Sequence, residues 1–174
     1  MLKKYFITGM SCSGKTTYAK KLAEETSIPF INFDSHFDYN KSKNYDYVKK
    51  VYTDLPDKFI IDAVPFNLGW NVFIEYIQEH DDIELIYNVC SNPITWCFRF
   101  MNKFGFAENP SVETIKKTFH SGFTQYYGLY YNTISAITGL VKYKIFDSFD
   151  NTYITTEELY KRIDWVKAIK EETQ

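Results

Sequence analysis

One eight-residue stretch, Gly9-Met10-Ser11-Cys12-Ser13-Gly14-Lys15-Thr16, constrains this chain more than any other. It satisfies G-x-x-x-x-G-K-[ST] at every fixed position. Before it runs Tyr5 to Gly9, a short aromatic and β-branched segment that reads as a strand. After it, from Gly14, runs a helical segment with Ala19, Leu22 and Ala23 on one face and Lys20 and Lys21 outside it. A loop made only to turn the chain needs neither a lysine nor paired hydroxyls. Glycines at these positions let the backbone curl with its N–H groups pointing inward, and a following helix N-terminus adds unpaired donors and the positive end of its dipole. The stretch is therefore expected to cradle phosphates through Gly9, Ser11, Cys12, Ser13, Gly14, Lys15, Thr16 and Thr17. Lys15 is expected to reach the terminal phosphates, and the Thr16 hydroxyl to ligate Mg²⁺.

Apolar strand-like runs alternate with helical ones along the rest of the chain. Strands are predicted at Pro29–Phe33, Lys58–Asp62, Ile83–Val89 and Lys142–Phe146, making five with the first. Helices are predicted over Tyr45–Thr53, Trp70–Glu79, Pro93–Phe104, Ser111–Thr138 and Thr155–Glu172. The last opens on Thr155 or Thr156 ahead of early glutamates, a capping pattern. The alternation predicts an α/β fold, a five-stranded parallel sheet with helices on both faces in a single domain of three layers. Ligands in such sheets bind at the carboxyl ends of strands. The positions to inspect are then Gly9, Asp34, Asp62, Val89 to Ser91, and Asp147 onward.

Two aspartates stand at such ends. Asp62 closes "KFIID", where a carboxylate can serve the water shell of a Mg²⁺ ion, or simply shape a strand-end turn. Asp34 follows "PFINF", where it can act as a base toward an acceptor hydroxyl, or cap a turn. Asp38 is a weaker rival, further from the strand end.

The loop, "FDSHFDY" and "IIDAVPF" together resemble the small phosphate-loop (P-loop) kinases of the nucleoside and nucleotide kinase group. Uridine kinases and nicotinamide riboside kinases end their second strand with Asp, then Ser or Asp, then an aromatic residue. Asp34-Ser35-His36-Phe37 is similar, with His36 as an extra residue. The resemblance implies that Asp34 contacts the substrate hydroxyl as the base, and it implies the P-loop fold, ATP and Mg²⁺. Adenylate kinases carry Asp-Gly-Phe-Pro-Arg after the third strand, whereas Asp62-Ala63-Val64-Pro65-Phe66 keeps the Asp and the Pro and has Phe66 in place of the arginine that grips an acceptor phosphate. Kinases of this group also carry a lid after the fourth strand, which here corresponds to a short helical lid at about residues 93–110. Arg99, one of only two arginines in the chain, lies there and shares a helical face with Lys103. The resemblance makes Lys15, Asp34 and Arg99 the catalytic residues, and Thr16 and Asp62 the metal-serving pair. The alternative for Arg99 is a solvated helix face. The other arginine, Arg162, reads as a surface residue.

Three further segments are weaker signals. Tyr126, Tyr127, Tyr130 and Tyr131 recur at helical spacing, as a core stripe, an interface admitting a homodimer, or a stacking wall for a flat acceptor. The loop Asp147 to Thr152 corresponds to the place where related kinases bind adenine. Cys12 sits inside the nest, where positive potential is expected to lower its pKa.

Composition excludes several classes. A net charge of −2 carries no general polyanion-binding signature, although "NKSKNYDYVKK" offers a local basic patch. No apolar run approaches the roughly 20 residues that span a bilayer. The N-terminus passes directly into the first strand, and three cysteines without metal-ligand spacing fit a reducing compartment, so a cytoplasmic location is expected. A GTPase would show Asn-Lys-x-Asp, which Asn102-Lys103-Phe104-Gly105 lacks. A motor ATPase would place Glu where Ala63 stands. The sequence thus favours ATP-dependent transfer of a γ-phosphoryl group to a hydroxyl of a nucleoside or other small molecule. A nucleic-acid hydroxyl and a non-catalytic nucleotide-binding module are the alternatives.

Overall fold

A computed structural model describes residues 3–63, 70–103, 111–117 and 132–163. In chain order these form β1 (Lys4–Gly9), α1 (Lys15–Thr26), β2 (Phe30–Asn32), two 3₁₀ turns (Phe33–Ser35 and Tyr39–Lys41), α2 (Tyr45–Thr53), β3 (Phe59–Ala63), α3 (Trp70–Glu79), β4 (Ile83–Val89), α4 (Pro93–Lys103) and α5 (Val112–Lys117). A helical stretch over residues 132–137 (α6) follows, then β5 (Tyr143–Asp147), β6 (Thr152–Ile154) and α7 (Thr156–Ile163).

The strands make one sheet in the order β2-β3-β1-β4-β5-β6. The first five are parallel, and β6 returns antiparallel to β5 across the turn 148–151. The sheet therefore has six strands among the described residues rather than five. Thr152-Tyr153-Ile154 is too short to carry a periodic signal of its own and becomes a strand only by pairing with β5.

Strand alternation divides the interior into two layers. Tyr5 and Ile7 of β1 share one face with Ile60, Ile86 and Phe146, and α1 covers it with Ala19, Tyr18, Leu22 and Ala23. Phe6 points to the opposite face, among residues of α2, α3, α4 and α7. There it is fully buried, with Phe59, Phe73 and Tyr76 packed edge-on at centroid distances of 5.4, 5.5 and 6.1 Å. Much of the chain's high aromatic content thus fills this layer. Truncating Phe6 to alanine should cost about 3–5 kcal/mol.

Local chemistry sets the element ends. Asn44 caps α2 by accepting from the Tyr47 N–H at 3.0 Å, and Asn92 caps α4 by accepting from the Thr95 N–H at 2.8 Å. The capping residue of α7 is Thr155: its hydroxyl accepts from the Glu158 N–H at 3.1 Å, and Glu158 accepts from the Thr155 N–H at 2.7 Å. The expected strand at Pro29–Phe33 is shorter, because Phe33 already belongs to a 3₁₀ turn. Of the long helix expected at Ser111–Thr138, α5 and α6 are described, and the tyrosine stripe between them lies outside the described residues. So do Phe66, the end of the expected lid region beyond Lys103 and the chain after Ile163.

Candidate active site

The loop after β1 lies at the carboxyl end of the sheet, between β3 and β4. Gly9 has φ +136°, and a Cβ there would stand 2.1 Å from the Asn88 carbonyl oxygen of β4, so no side chain fits. Gly14 has φ +92° and caps α1 without any side-chain acceptor. The first N–H groups of α1 are thus left for a ligand in the loop. Cys12 also takes a left-handed conformation, φ +63°. Ser13 is fully buried with an unpartnered hydroxyl. The loop is braced from α4: Trp96 Nε1 donates to the Ser11 carbonyl at 3.0 Å, and Lys103 Nζ lies 3.5 Å from the Ser11 hydroxyl.

Lys15 is partly buried and donates to the Met10 carbonyl at 2.8 Å, folded back over its own loop. Burial pushes its pKa down to about 8, partly opposed by the negative charges of Asp62 and, more weakly, Asp34. Three residues predicted from separate motifs therefore share one electrostatic environment.

Asp62 pairs in register with Ile7 of β1, directly before the loop. Its Oδ2 accepts a hydrogen bond from the Thr16 hydroxyl, while its buried Oδ1 has no partner. A carboxylate oxygen left unsatisfied in a 9% exposed residue is costly unless something else meets it. A hydroxyl and a carboxylate beside a phosphate cradle are hard oxygen donors of the kind Mg²⁺ takes together with waters and phosphate oxygens. Among the described residues there is no cluster of three or more His, Cys, Asp or Glu side chains that would cage a metal without a phosphate ligand.

Asp34 lies on the 3₁₀ turn after β2. Asn32, not Asp34, caps that turn, accepting from the Asp34 N–H at 3.1 Å. The Asp34 carboxylate is exposed and accepts a hydrogen bond from the Tyr39 hydroxyl. No motif in the sequence marks Tyr39. Burial raises its pKa, followed by the hydrogen bond to Asp34 and the charges of Asp34 and Asp62, so its hydroxyl stays protonated as a donor. Asp38 caps the next turn, accepting from the Asn40 N–H at 3.1 Å, and pairs with Lys41 at 3.4 Å.

On the other side of the loop lies a cavity of about 360 Å³, lined among others by Gly14, Thr17, Tyr18, Arg99, Phe146 and Asn151. Tyr18 and Phe146 pack at 4.1 Å between centroids, and Tyr18 meets the Tyr153 hydroxyl at 2.5 Å. Arg99 is no solvated residue. It donates to the Ser148 hydroxyl at 2.7 Å and to the Ser148 carbonyl at 3.3 Å, and its guanidinium flanks Gly14. Lys103 lines the same cavity, as the shared helical face predicts.

Two expectations need correction. Cys12 has its pKa raised, not lowered, because burial outweighs the opposing charges of Lys103, Lys15 and Arg99. Arg162 is not a free surface residue. It donates to the fully buried Asp147 at 2.8 Å and also pairs with Asp150. Asp147 further accepts from the Ser91 and Phe149 N–H groups at 3.1 and 3.0 Å. That network fixes the β5–β6 turn that carries Ser148. Arg162 and Asp147 are 15 residues apart, and no local pattern announces their pairing.

No protein-family model matches the chain, and no curated protein matches it. Solved structures do. Shikimate kinase from Bacteroides thetaiotaomicron superposes with a TM-score of 0.53 at 12% identity, covering 98% of this chain and 99% of that one. A gluconokinase from Sinorhizobium meliloti 1021 gives 0.52 at 13%, covering 98% and 95%. The YorR protein from Bacillus subtilis, solved in complex with phosphorylated GDP, gives 0.52 at 14%, covering 98% of each. The chain has the P-loop kinase fold. At these identities the likeness fixes the architecture, and the chemistry has to be argued from the site.

Proposed function

We propose that the protein is an ATP-dependent kinase that transfers the γ-phosphoryl group to a hydroxyl of a small molecule, nucleoside-like in the leading reading. The observation that carries this is the placement of two carboxylates with different surroundings around one phosphate loop. Asp62 is buried against Thr16, and Asp34 is exposed and oriented by Tyr39. A protein that only held a nucleotide would have use for the first and none for the second.

The nest from Gly9 to Thr17 would receive the phosphates, and Lys15 would exchange its Met10 carbonyl for phosphate oxygens. Thr16 and Asp62 would hold Mg²⁺, which when bound would offset phosphate charge. Asp34 would accept the proton of the acceptor hydroxyl as that oxygen bonds to the γ-phosphorus and the bond to the β–γ bridging oxygen breaks, releasing ADP. In a loose transition state the proton leaves late, so the position of Asp34 matters as much as its basicity. Arg99 would turn from Ser148 toward the γ-phosphoryl oxygens, where a planar, forked donor suits spread charge. The neighbours named above include kinases of shikimate and gluconate, which supports a small-molecule acceptor. No described helix is long and apolar enough to cross a membrane.

The test is transfer of label from γ-labelled ATP across nucleosides, sugars, nucleotides and oligonucleotides, with Lys15→Ala as the control. Lys15-dependent transfer to a small hydroxyl compound is the expected result. Transfer to oligonucleotides alone would favour the nucleic-acid alternative, and no Lys15-dependent transfer at all would leave a nucleotide-binding module.

A further inference from the structure

We propose that the Asp34–Tyr39 pair makes the acceptor site selective for hydroxyl compounds that carry no carboxylate or phosphate. This rests on the kinase reading above and narrows its substrate class.

The argument begins with where the cations are. The chain has two arginines, and both are engaged away from Asp34: Arg99 at Ser148 and Arg162 at Asp147 and Asp150. Recognition of an acidic substrate favours bidentate guanidinium contacts, which leave geometry as well as charge satisfied. Neither arginine can serve the acceptor without abandoning the donor side or the β5–β6 turn. Among the described residues Asp34 has no cationic partner; its contact is the neutral Tyr39 hydroxyl. Lys41, close in sequence, is paired with Asp38 and lies over the Tyr47 ring at 5.5 Å. Lys15 belongs to the phosphate loop.

The field at the acceptor side follows. Tyr39, 41% exposed, donates its hydroxyl to Asp34, so the charged side chain that an entering acceptor meets there is a carboxylate. An acid entering here would meet the Asp34 carboxylate and lose hydration without gaining a fork of donors. A neutral hydroxyl compound avoids that repulsion. It can donate its hydroxyl to Asp34, whose Oδ1 is already held by Tyr39, leaving the other oxygen aimed by that contact.

The experiment measures kcat/KM with matched pairs of acceptors: ribose and ribose 5-phosphate, glucose and gluconate, uridine and uridine monophosphate. The neutral member of the preferred pair should lead by at least about tenfold. Tyr39→Phe should raise the acceptor KM or lower kcat while the KM for ATP stays unchanged, because the hydroxyl orients Asp34 and touches no nucleotide. Tyr39→Lys, at an exposed position, should shift the acid-to-neutral ratio toward the acid by about tenfold or more. Preference for the acidic member in the wild-type enzyme, or a ratio unmoved by Tyr39→Lys, would overturn the assignment and leave the kinase reading standing. No Lys15-dependent transfer to either member of any pair would overturn the kinase reading and this inference with it.

Discussion

Thr16 donates its hydroxyl hydrogen to Asp62, joining the first turn of α1 to the end of β3. The two residues come from separate motifs, and the parallel pairing of β1 with β3 brings them together. Asp62→Asn preserves an acceptor for Thr16 and removes the charge. The half-saturating Mg²⁺ concentration for transfer should then rise roughly 10–100-fold, as when a metal's supporting partner is lost. A Mg²⁺ titration of turnover checks this, and an unchanged midpoint would place Asp62 outside the metal's surroundings.

Asp34→Asn should behave differently. The amide can still accept from Tyr39, so the turn should stand, but it cannot take a proton. Transfer should fall by roughly 10²–10⁴-fold, the range of a general base, with ATP affinity nearly unchanged. Added Mg²⁺ should not restore it. A defect cured by Mg²⁺ would exchange the roles of the two aspartates.

The layout of the candidate site is legible in the sequence because each of its parts is local. The phosphate loop is an eight-residue pattern, and Asp34 and Asp62 follow from the rule that parallel strands present ligands at their carboxyl ends. What escaped depends on partners distant in sequence or on burial. Tyr39 gains meaning only once the turns after β2 fold it back onto Asp34. Arg162 reads as part of a solvated helix until β5 places Asp147 beneath it. For Cys12 the cations are visible in the sequence and the desolvation that outweighs them is not. β6 is too short to be seen without the strand that it pairs with.

On the kinase reading, Lys15 should make nucleotide binding sensitive to alkaline pH. Its pKa in the free protein is lowered to about 8, and bound phosphates favour the ammonium, so the bound-state value lies higher. The complex therefore takes up a proton between the two values. ATP affinity should be full below about pH 8 and decline by up to about tenfold per pH unit above it. Calorimetric titrations across that range should show the decline in the wild type and in Cys12→Ser. Lys15→Met should bind more weakly and show no such decline. A persistent decline in Lys15→Met would assign the proton to another group.

The Arg162–Asp147 pair predicts a stability effect far from the phosphates. Arg162→Met leaves the fully buried Asp147 with its two backbone donors and without its cation. Since Arg162 is itself about one-third exposed, the loss should be moderate, about 1–3 kcal/mol. Urea unfolding should show the shift in midpoint. ATP affinity should fall as well, because the turn carrying Ser148 loses its anchor. Wild-type stability in this variant would make the pair dispensable.

Arg99 poses the sharpest question, since its guanidinium is already satisfied by Ser148 in this structure. Two functions compete. As a transition-state donor, Arg99 must leave Ser148 when the γ-phosphoryl group moves, and its removal should strike kcat. As a brace between α4 and the β5–β6 turn, its removal should strike ATP affinity and stability, with kcat nearly preserved. The geometry favours the first, because the guanidinium lies beside Gly14 at the rim of the nest, close to the region phosphates would occupy. Arg99→Ala should then lower kcat by about 10²–10³, within the span by which an arginine aids phosphoryl transfer. Arg99→Lys should recover little of it, because an ammonium can replace the charge and not the fork. Ser148→Ala separates the two functions cleanly. It removes the hydroxyl partner of the resting position without touching the guanidinium, so a transition-state arginine should work as well or faster in that variant. A loss of kcat in Ser148→Ala as large as that in Arg99→Ala would show that the contact itself, and not the freed arginine, is what catalysis requires.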